Sequence, residues 1–261
     1  MDFAIPADLQ AYLAELDAFI AAEIKPLEAQ DDNIRFFDHR REYARTDFEN
    51  GGHPVFSIYD MVDAHGLRLR RKAELFGHAS VKDADHIESV ESKAARMADI
   101  TIAVSQSDEQ HIQKLCGDNL KTAIIPTIHP VVEGLEKYEN RTGLLFVGGF
   151  QHDPNVDAVK FLTMEVLPRV QQKLGPIQVT IVGSNATAEI FDLQSDSVKV
   201  VGWVDDLLPY YNSHKMVVAP LRFGAGVKGK IGEALSHGIP TVTTSVGVEG
   251  MPLINGQDIL F

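Results

Sequence analysis

The sequence predicts an α/β protein in which parallel sheets carry helices on both faces. Short apolar runs that read as buried strands, such as Leu144–Val147, alternate with stretches of helical period along most of the chain. Glycine turns follow several of these runs, as at Gly148-Gly149 and Gly202. Alternation of this kind with short turns is typical of parallel sheets, whose ligands bind at the carboxyl ends of the strands.

Composition limits the classes of function. The chain has 261 residues, 44% of them hydrophobic, and a formal net charge of −13 at pH 7. It is long enough for one large or two modest domains, and its negative charge argues against nucleic-acid binding. A single cysteine, Cys116, cannot form an internal disulfide, and we interpret it as a small apolar residue. With no signal-peptide pattern at residues 1–10 and no apolar run of about 20 residues, we expect a cytoplasmic protein.

Residues 1–52 are predicted to form an appended helical segment. Asp8 is a suitable cap for a helix over residues 9–27, and its apolar residues recur at the helical period. A charged stretch follows, and Asn50-Gly51-Gly52 marks the end of the segment. This segment resembles the first helix and following loop of acyl-CoA dehydrogenases, which indicates a fusion and leaves a protein related to that family as one alternative.

Residues 53–128 are predicted to form a partial first Rossmann-like domain. Strands are predicted at 55–61, 99–104 and 122–126, with helices at 83–98 and 106–115, the second capped by Ser105. His65 follows the first strand in a predicted loop, where it is a candidate acceptor-side residue or simply a solvated histidine. The basic run at 68–72 is interpreted as a solvated helix face, with contact to an anionic acceptor or a peripheral membrane surface as the alternative.

A polar linker at 129–141 leads to a second domain at 142–261. Five strands are predicted there, at 144–147, 178–182, 198–201, 216–219 and 240–244, and a further strand starts at 258. Asn155 is predicted to cap a helix over 156–174, and Asp205 to cap a helix that ends at Tyr211. Trp203 is interpreted as a packing residue.

The stretch from 215 to 248 contains the strongest functional signal. A strand is followed by Gly224, Gly226 and Gly229, and then by a helix. Unpaired amides and the macrodipole make such a helix start an anion site, so a bound anion would offset the unfavourable position of Lys228 and Lys230 in the first turn. Glu233 lies three residues after Lys230 on a neighbouring part of the helix surface. This combination suits a nucleotide, with lysine for the diphosphate and glutamate for the ribose hydroxyls.

Another interpretation of the same glycines is an NAD-type dinucleotide site. Gly224, Gly226 and Gly229 form a literal GxGxxG, and Glu249 follows twenty residues after the last glycine. That fingerprint normally belongs to the first βαβ unit of its domain, whereas this one follows at least three predicted strands. We therefore keep NAD binding only as a disfavoured alternative.

The segment PLRFGAGVKGKIGEALSHGIPTVTTSVGVEGM closely resembles the donor-binding segment of GT-B glycosyltransferases of the retaining group 1 / family 4 type. LLFVGGFQHDPN, VTIVG and VKVVGWVDDL precede it in that family's order and spacing. The resemblance covers residues 56–261 and implies a GT-B-like fold with two Rossmann-like units, of which the amino-terminal one is incomplete. It also implies a hexosyltransferase of polysaccharide biosynthesis, which transfers a sugar with retention from a nucleotide-diphosphate sugar to an unknown carbohydrate, lipid or other acceptor.

The resemblance assigns roles to individual positions. Arg222 and Lys230 would stabilise the leaving diphosphate and would be the catalytic residues; no metal or other cofactor is implied. Glu233 would hold the ribose. The remaining donor-binding positions, implied to contact phosphate, base or sugar, are Gly148, Gly149, Phe150, Val204, Gly226, Val227, Glu249 and Gly250.

Two departures from the family pattern leave an alternative open. Many members carry a glutamate eight positions before the one that matches Glu233, and this chain has Ala225 there. The resemblance is also truncated at both ends, and a GT-B site lies between two domains. A catalytically inactive nucleotide-binding fragment is therefore the alternative to an active transferase.

Overall fold

The computed structural model divides the chain into two compact units, Met1–Val55 and Phe56–Phe261. The structure describes residues 56–261 without 78–80, 118 and 135, together with four isolated positions between 14 and 22. Apart from those four positions, the predicted helix over residues 9–27 lies outside the described residues, as does the turn at 50–52. The predicted division into domains stays a prediction.

A three-stranded parallel sheet opens the second unit. Its strands, in spatial order, are β1 (Ile58–Met61), β2 (Ile100–Ala103) and β3 (Thr122–Ile124). The helices between them are α1 (His65–Phe76), α2 (Val81–Met97) and α3 (Gln106–Cys116). Met61, Ala95, Ala103 and Ile112 form its core. We call this part the first-sheet half.

A five-stranded parallel sheet follows, in what we call the second-sheet half. Its strands are β4 (Leu144–Val147), β5 (Val179–Val182), β6 (Val198–Gly202), β7 (Met216–Val218) and β8 (Thr241–Val242). Its helices are α4 (Asp153–Phe161), α5 (Leu167–Leu174), α6 (Ala188–Phe191), α7 (Leu208–Ser213) and α8 (Gly229–Ser236), with a π-helical turn, Leu162–Val166, joining α4 to α5. The predicted α/β class with two parallel sheets is confirmed.

The strand order locates a crevice. The second sheet runs β6-β5-β4-β7-β8, so the chain winds outward in one direction from β4 and then in the other direction from β7. In parallel sheets of this kind, ligands bind beyond the carboxyl ends of the strands at the point where the order reverses. The turn after β4 and the glycine loop after β7 are therefore neighbours at the edge where a ligand is expected.

The second sheet is buried on both faces, as its continuous apolar strands predict. Phe146 and Ile181 belong to the cluster on one face, and Leu145, Val217 and Tyr211 belong to the cluster on the other. Consecutive strand residues point to opposite faces, so β4 supplies both cores. This double packing holds the ends of β4 and β7 in fixed positions.

Several predicted element ends are wrong. Helix α4 begins at Asp153, before Asn155, with Pro154 in its first turn. The carboxylate that accepts a hydrogen bond from the start of α7 is Asp206, 2.8 Å from the Leu208 nitrogen, rather than Asp205. Instead of a strand from 258, the chain forms isolated bridges such as that between Val242 and Leu260. The local sequence predicts whether an element exists more reliably than it predicts which of two adjacent polar residues caps that element.

Helix α1 also differs from expectation at both ends. His65, predicted in a loop, is its first residue. The following basic residues do not form a solvated face, because each contacts a carboxylate. The pairs are Arg68–Asp63, Arg70–Glu88, Arg71–Glu249 and Lys72–Asp153.

Among the residues that the structure describes, none of the helices combines the length and apolarity that crossing a bilayer requires.

Candidate functional site

The turn after β4 and the start of α8 meet at the reversal point of the second sheet. A Cβ atom added to Gly148 would lie 2.7 Å from the Lys230 Nζ and 2.9 Å from the Asn155 side chain. Neither group could keep its position beside a side chain at residue 148. Gly148 is therefore required for the close approach of Lys230 to the turn, and the two predicted site residues are brought together.

Lys230 occupies an apolar environment for a cation. Its Nζ donates a hydrogen bond to the Asn155 Oδ1 and lies 4.8 Å from the centroid of the Phe146 ring. Burial lowers the pKa of Lys230 to about 7. No carboxylate within the described part of the chain forms an ion pair with this ammonium, and an anionic ligand would supply a counter-ion.

Asn155 is a site residue that sequence reasoning missed. It is 6% exposed, and its Nδ2 donates to the Gly149 carbonyl oxygen at 2.8 Å while its Oδ1 accepts from Lys230. The sequence predicts Asn155 as a helix cap, because asparagine before a helical stretch is a common cap. Its place seven residues after the first glycine of the turn was the only available signal.

The glycine loop contacts the first-sheet half directly. Gly226 has φ +67°, and an added Cβ would lie 3.2 Å from the Asp63 Oδ1. Its backbone nitrogen, predicted to bind a diphosphate, donates to the Asp108 Oδ1 at 3.2 Å. Lys228 donates to the Gly226 carbonyl oxygen at 2.6 Å, so it points back onto the loop. A carboxylate therefore already contacts the amide where an anion is expected.

Asp108 is held by both halves. It is 1% exposed, and it accepts hydrogen bonds from Ser105 and from the Gly226 nitrogen. Burial raises the pKa of Asp108, and these two hydrogen bonds partly offset that rise. Its charge is therefore costly to maintain near neutral pH.

Glu249 and Gly250 contact the first-sheet half at a second point. Glu249 accepts from both terminal nitrogens of Arg71 and from the Ser107 hydroxyl at 2.8 Å. Burial alone would raise the pKa of Glu249, and the hydrogen bonds from Arg71 and Ser107 bring it below the ordinary value. A Cβ added to Gly250 would lie 2.5 Å from the Ser105 Cβ and 3.3 Å from the Val227 side chain. Both residues line the junction between the halves.

Arg222 has a different environment from Lys230. It binds Asp157 of α4 through two nitrogens, one at 2.9 Å, and lies between the rings of Phe76 and Phe161, at 5.2 and 5.0 Å. Asp157 and the Lys230 partner, Asn155, are two residues apart on α4, so their side chains leave the helix about 200° apart. The structure thus places the two predicted catalytic cations against different sides of α4.

Glu233 and Val204 lie near the other face of the second sheet, whereas Phe150 lies on the same face as Phe146. Glu233 of α8 is near the phenol of Tyr211, whose pKa is raised by burial first and by the Glu233 charge second. Val204 packs on the cluster that contains Tyr211, while Trp203 is 66% exposed and is not the packing residue we expected. Phe150 is buried and stacks near Phe146, at 6.4 Å between centroids.

His65, the candidate acceptor-side residue, lies at the carboxyl end of β1. Its side chain is 55% exposed and 3.7 Å from the Asp63 carboxylate, and its backbone nitrogen donates to Glu91 at 2.7 Å. The neighbouring Val62 and Asp63 approach Gly226. The carboxyl ends of both sheets therefore meet, and His65 lies beside that meeting point.

Comparison with known proteins shows which family the second-sheet half resembles. Residues 141–260 match the family model described as "Glycosyl transferases group 1". We call these residues the group 1 segment. The group 1 segment contains the turn after β4, the glycine loop, Lys230, Glu233 and Glu249, which are the parts that form the crevice.

Relatives of the group 1 segment come from bacterial polysaccharide loci and from solved enzymes. An uncharacterized 44.6 kDa protein of the cps region of Klebsiella pneumoniae is 26% identical over 146 residues, 52% of this chain and 37% of that protein. TarM is similar with a TM-score of 0.61 at 15% identity, over 82% of this chain and 42% of TarM.

Two further structures extend the likeness. Sucrose-phosphate synthase from Thermosynechococcus elongatus has a TM-score of 0.62 at 16% identity, over 82% of this chain and 56% of the synthase. Anabaena HepE, solved with UDP-glucose, has a TM-score of 0.55 at 15% identity, over 78% of this chain and 57% of HepE. These identities show the fold alone, so the GT-B-like expectation is confirmed. The chain spans 37% to 57% of the lengths of these four proteins.

Proposed function

We propose that the chain is a glycosyltransferase that binds a nucleotide-diphosphate sugar and transfers the sugar, with retention, to an acceptor. The observation that carries this proposal is the position of Lys230, a partly buried cation with no carboxylate partner among the described residues, against the glycine turn at the reversal point of the sheet. A diphosphate is an anion of the size and charge that this place accommodates.

The donor would extend from this point across the group 1 segment. Its diphosphate lies at the start of α8 and contacts Lys230 and the amides of Gly226 and Val227. Glu233 and Val204, on the other face of the sheet, hold the ribose and the base. Glu249 and Gly250, next to the first-sheet half, receive the sugar.

Transfer breaks the bond between the anomeric carbon and the diphosphate oxygen and forms a bond to the acceptor oxygen. Negative charge grows on the departing phosphate, and the Lys230 ammonium stabilises it in a site with little water. Arg222 assists from the far side of α4 once it exchanges Asp157 for phosphate. The acceptor approaches from the side of His65.

Binding of a nucleotide without transfer is the second candidate function. Asp108 accepts the hydrogen bond from Gly226 that a diphosphate would need, so donor binding requires Asp108 to release that amide. The first-sheet half also contributes only three strands among the described residues. These two observations favour a site that binds nucleotide while lacking part of the acceptor side.

Calorimetric titration with UDP, GDP and ADP tests the donor site. UDP comes first, since the structures of HepE and of an S. aureus TarM mutant contain it. We expect saturable binding of one nucleotide, lost in Lys230→Ala and retained in Lys199→Ala, which removes an exposed lysine of β6. Binding of none of the three by the intact chain would contradict the proposal.

Release of free nucleotide from the matching nucleotide sugar separates the two candidate functions. We expect release in the presence of acceptor saccharides or lipids, at a rate reduced by at least about a hundredfold in Lys230→Ala, as for loss of one charge-stabilising group. Tight binding with no release under any acceptor condition would support the binding-only function instead.

A further inference from the structure

We infer that Asn155 is a positioning residue of the donor site, which holds the Lys230 ammonium against the turn after β4. The identity of the ligand in this inference rests on the proposed function. The geometry rests on contacts within the second-sheet half. Lys230 touches the donor, and Asn155 acts through Lys230.

The Asn155 side chain joins the two sides of the crevice. Its amide nitrogen donates to the Gly149 carbonyl oxygen at 2.8 Å, and its amide oxygen accepts from Lys230. Gly149 follows β4 and Lys230 follows β7, the two strands between which the sheet order reverses. Because the amide nitrogen donates its hydrogen bond to a carbonyl oxygen, the amide oxygen is the atom that faces the lysine.

A local role in helix α4 does not account for this side chain. The helix starts at Asp153, its cap residue is His152, and Asn155 makes no cap hydrogen bond. Asparagine inside a helix is less favourable than alanine, and a buried amide is costly without partners. The Asn155 contacts therefore serve the crevice rather than the helix.

Lys230 depends on this contact. Within the part of the chain that the structure describes, Asn155 is the hydrogen-bond acceptor of its ammonium, and the Phe146 ring and the backbone of Gly148 are its other close neighbours. Without an acceptor, the charged form loses its main stabilisation against burial. A smaller fraction of the amine would then be charged near pH 7, and less of it could neutralise a diphosphate.

The charged groups around Lys230 are few. Lys228 directly precedes its helix and Glu233 lies on it, and His152, in the turn before α4, is close enough for the Lys230 charge to affect it. Burial lowers the pKa of His152, with Arg68 adding to the effect, so His152 loses its proton at a lower pH than an ordinary histidine. Changes in Lys230 between pH 6.5 and 8.5 can therefore be separated from titration of His152.

Two substitutions of Asn155 should shift the pKa of Lys230 in opposite directions. Asn155→Leu removes the acceptor at similar volume, so the pKa falls. Asn155→Asp keeps the shape and adds a carboxylate, so the pKa rises. A purely structural role for Asn155 would not give shifts of opposite sign. Asn212→Asp, on α7, makes the same change where the side chain contacts Glu136, and should leave Lys230 unchanged.

The first measurement is an NMR titration of ¹³C-labelled lysine side chains in the chain without nucleotide, with Lys230→Arg used to assign the Lys230 signal. The second is calorimetric titration with UDP at pH 6.5 and pH 8.5. We expect Asn155→Leu to weaken UDP binding about tenfold at pH 8.5 and about threefold at pH 6.5, as a pKa one unit below about 7 gives. We expect Asn155→Asp to weaken it at both values, because its carboxylate repels the diphosphate.

The outcomes distinguish the inference from the function on which it rests. An unchanged Lys230 pKa in both variants overturns the positioning role, whatever happens to UDP. If the two variants shift the Lys230 pKa in opposite directions but the chain binds no nucleotide, the contact between Asn155 and Lys230 is confirmed and the role of Lys230 in a donor site is overturned. If Asn155→Leu fails to fold, as judged by circular dichroism, the isosteric Asn155→Asp still tests the direction of the shift.

Discussion

At the scale of single residues, Lys230 is a cation in a position that folding alone disfavours. The amino end of a helix repels positive charge, and the environment beside Phe146 desolvates it. Residues held against their own stability concentrate at functional sites. The geometry of Asn155 and Gly148 keeps the ammonium in place despite this cost.

Replacing Lys230 should change how stability depends on pH. Its pKa is about 7 in the folded chain and near 10.5 when unfolded, so between these values the unfolded chain binds a proton that the folded chain has released. Stability of the wild type therefore rises with pH across this window, and Lys230→Met lacks that rise. Urea denaturation at pH 6, 8 and 10 should show the variant gaining most over the wild type at pH 6. Parallel curves would contradict burial of the ammonium.

Nucleotide binding should follow the opposite trend. In the proposed donor site the charged form of Lys230 binds the diphosphate, so we expect UDP affinity of the wild type to fall as pH rises through about 7. Stability and affinity then change in opposite directions with pH, and the same titrated group explains both.

At the scale of elements, the glycines in and after the glycine loop differ in how their surroundings would accept a side chain. Gly226 has φ +67° and lies close to Asp63, so its conformation and its surroundings both exclude a side chain. Gly229 starts α8, and an added Cβ there would meet nothing within 4 Å. Gly232, inside α8, is explained by the ring of His129, which packs where a side chain would be. The GxGxxG spelling alone does not reveal these differences.

Alanine substitutions in this loop should therefore differ in sign. Gly226→Ala should lower the free energy of unfolding by about 1–2 kcal/mol, the cost of a left-handed conformation for an L-residue. Gly229→Ala should raise it by about 0.5–1 kcal/mol, because alanine favours a helix. Thermal or urea denaturation of the two variants measures both. Equal effects would mean that the loop does not hold the conformation of Gly226 seen here.

At the scale of the whole molecule, α1 joins the two halves of the described unit. Arg71 binds Glu249 and the Gly224 carbonyl oxygen, Lys72 binds Asp153, and Phe76 packs edge-on against Phe223 at 5.7 Å. The basic run thus stabilises the contact between the sheets. This role replaces the solvated face that the charge pattern suggested.

Removing Arg71 tests this junction. Arg71→Leu leaves the half-buried carboxylate of Glu249 with fewer partners, and we expect a loss of about 1–3 kcal/mol in the free energy of unfolding. Arg70→Leu, on the same helix but paired with Asp85 and Glu88 within the first-sheet half, is the matched comparison. A second transition in urea that appears only in Arg71→Leu would show that the halves separate before they unfold.

Asp108 connects the same junction to the donor site. Asp108→Asn keeps an oxygen toward the Gly226 amide and removes the buried charge. Burial raises the pKa of Asp108 in the folded chain, so its charged form lowers stability at pH values above the ordinary carboxyl pKa. The variant should therefore be at least as stable as the wild type at pH 7. UDP should bind about fivefold more tightly, which corresponds to about 1 kcal/mol. Asp192→Asn, at an exposed position, controls for net charge; tighter binding there too would contradict the explanation.

Sequence by itself determined the class of fold, most of the strands and the position of the glycine loop between a strand and a helix. Those features depend on local period, on turn residues and on a motif spelled out within about thirty residues of chain. The group 1 segment could therefore be recognised, with Lys230 and Glu233 placed on the correct helix.

Tertiary structure alone decided which side chains meet. Asn155 and Lys230 are 75 residues apart, and Asp108 and Gly226 are 118 apart, so no local pattern links them. The first pair forms because parallel strands bring distant loops to one edge of a sheet, and the second pair forms where the two sheets meet. Arg222 bound to Asp157, the basic run of α1 paired with carboxylates, and the exposed Trp203 differ from expectation for the same reason. Their environments are set by residues that come close only when the whole unit has folded.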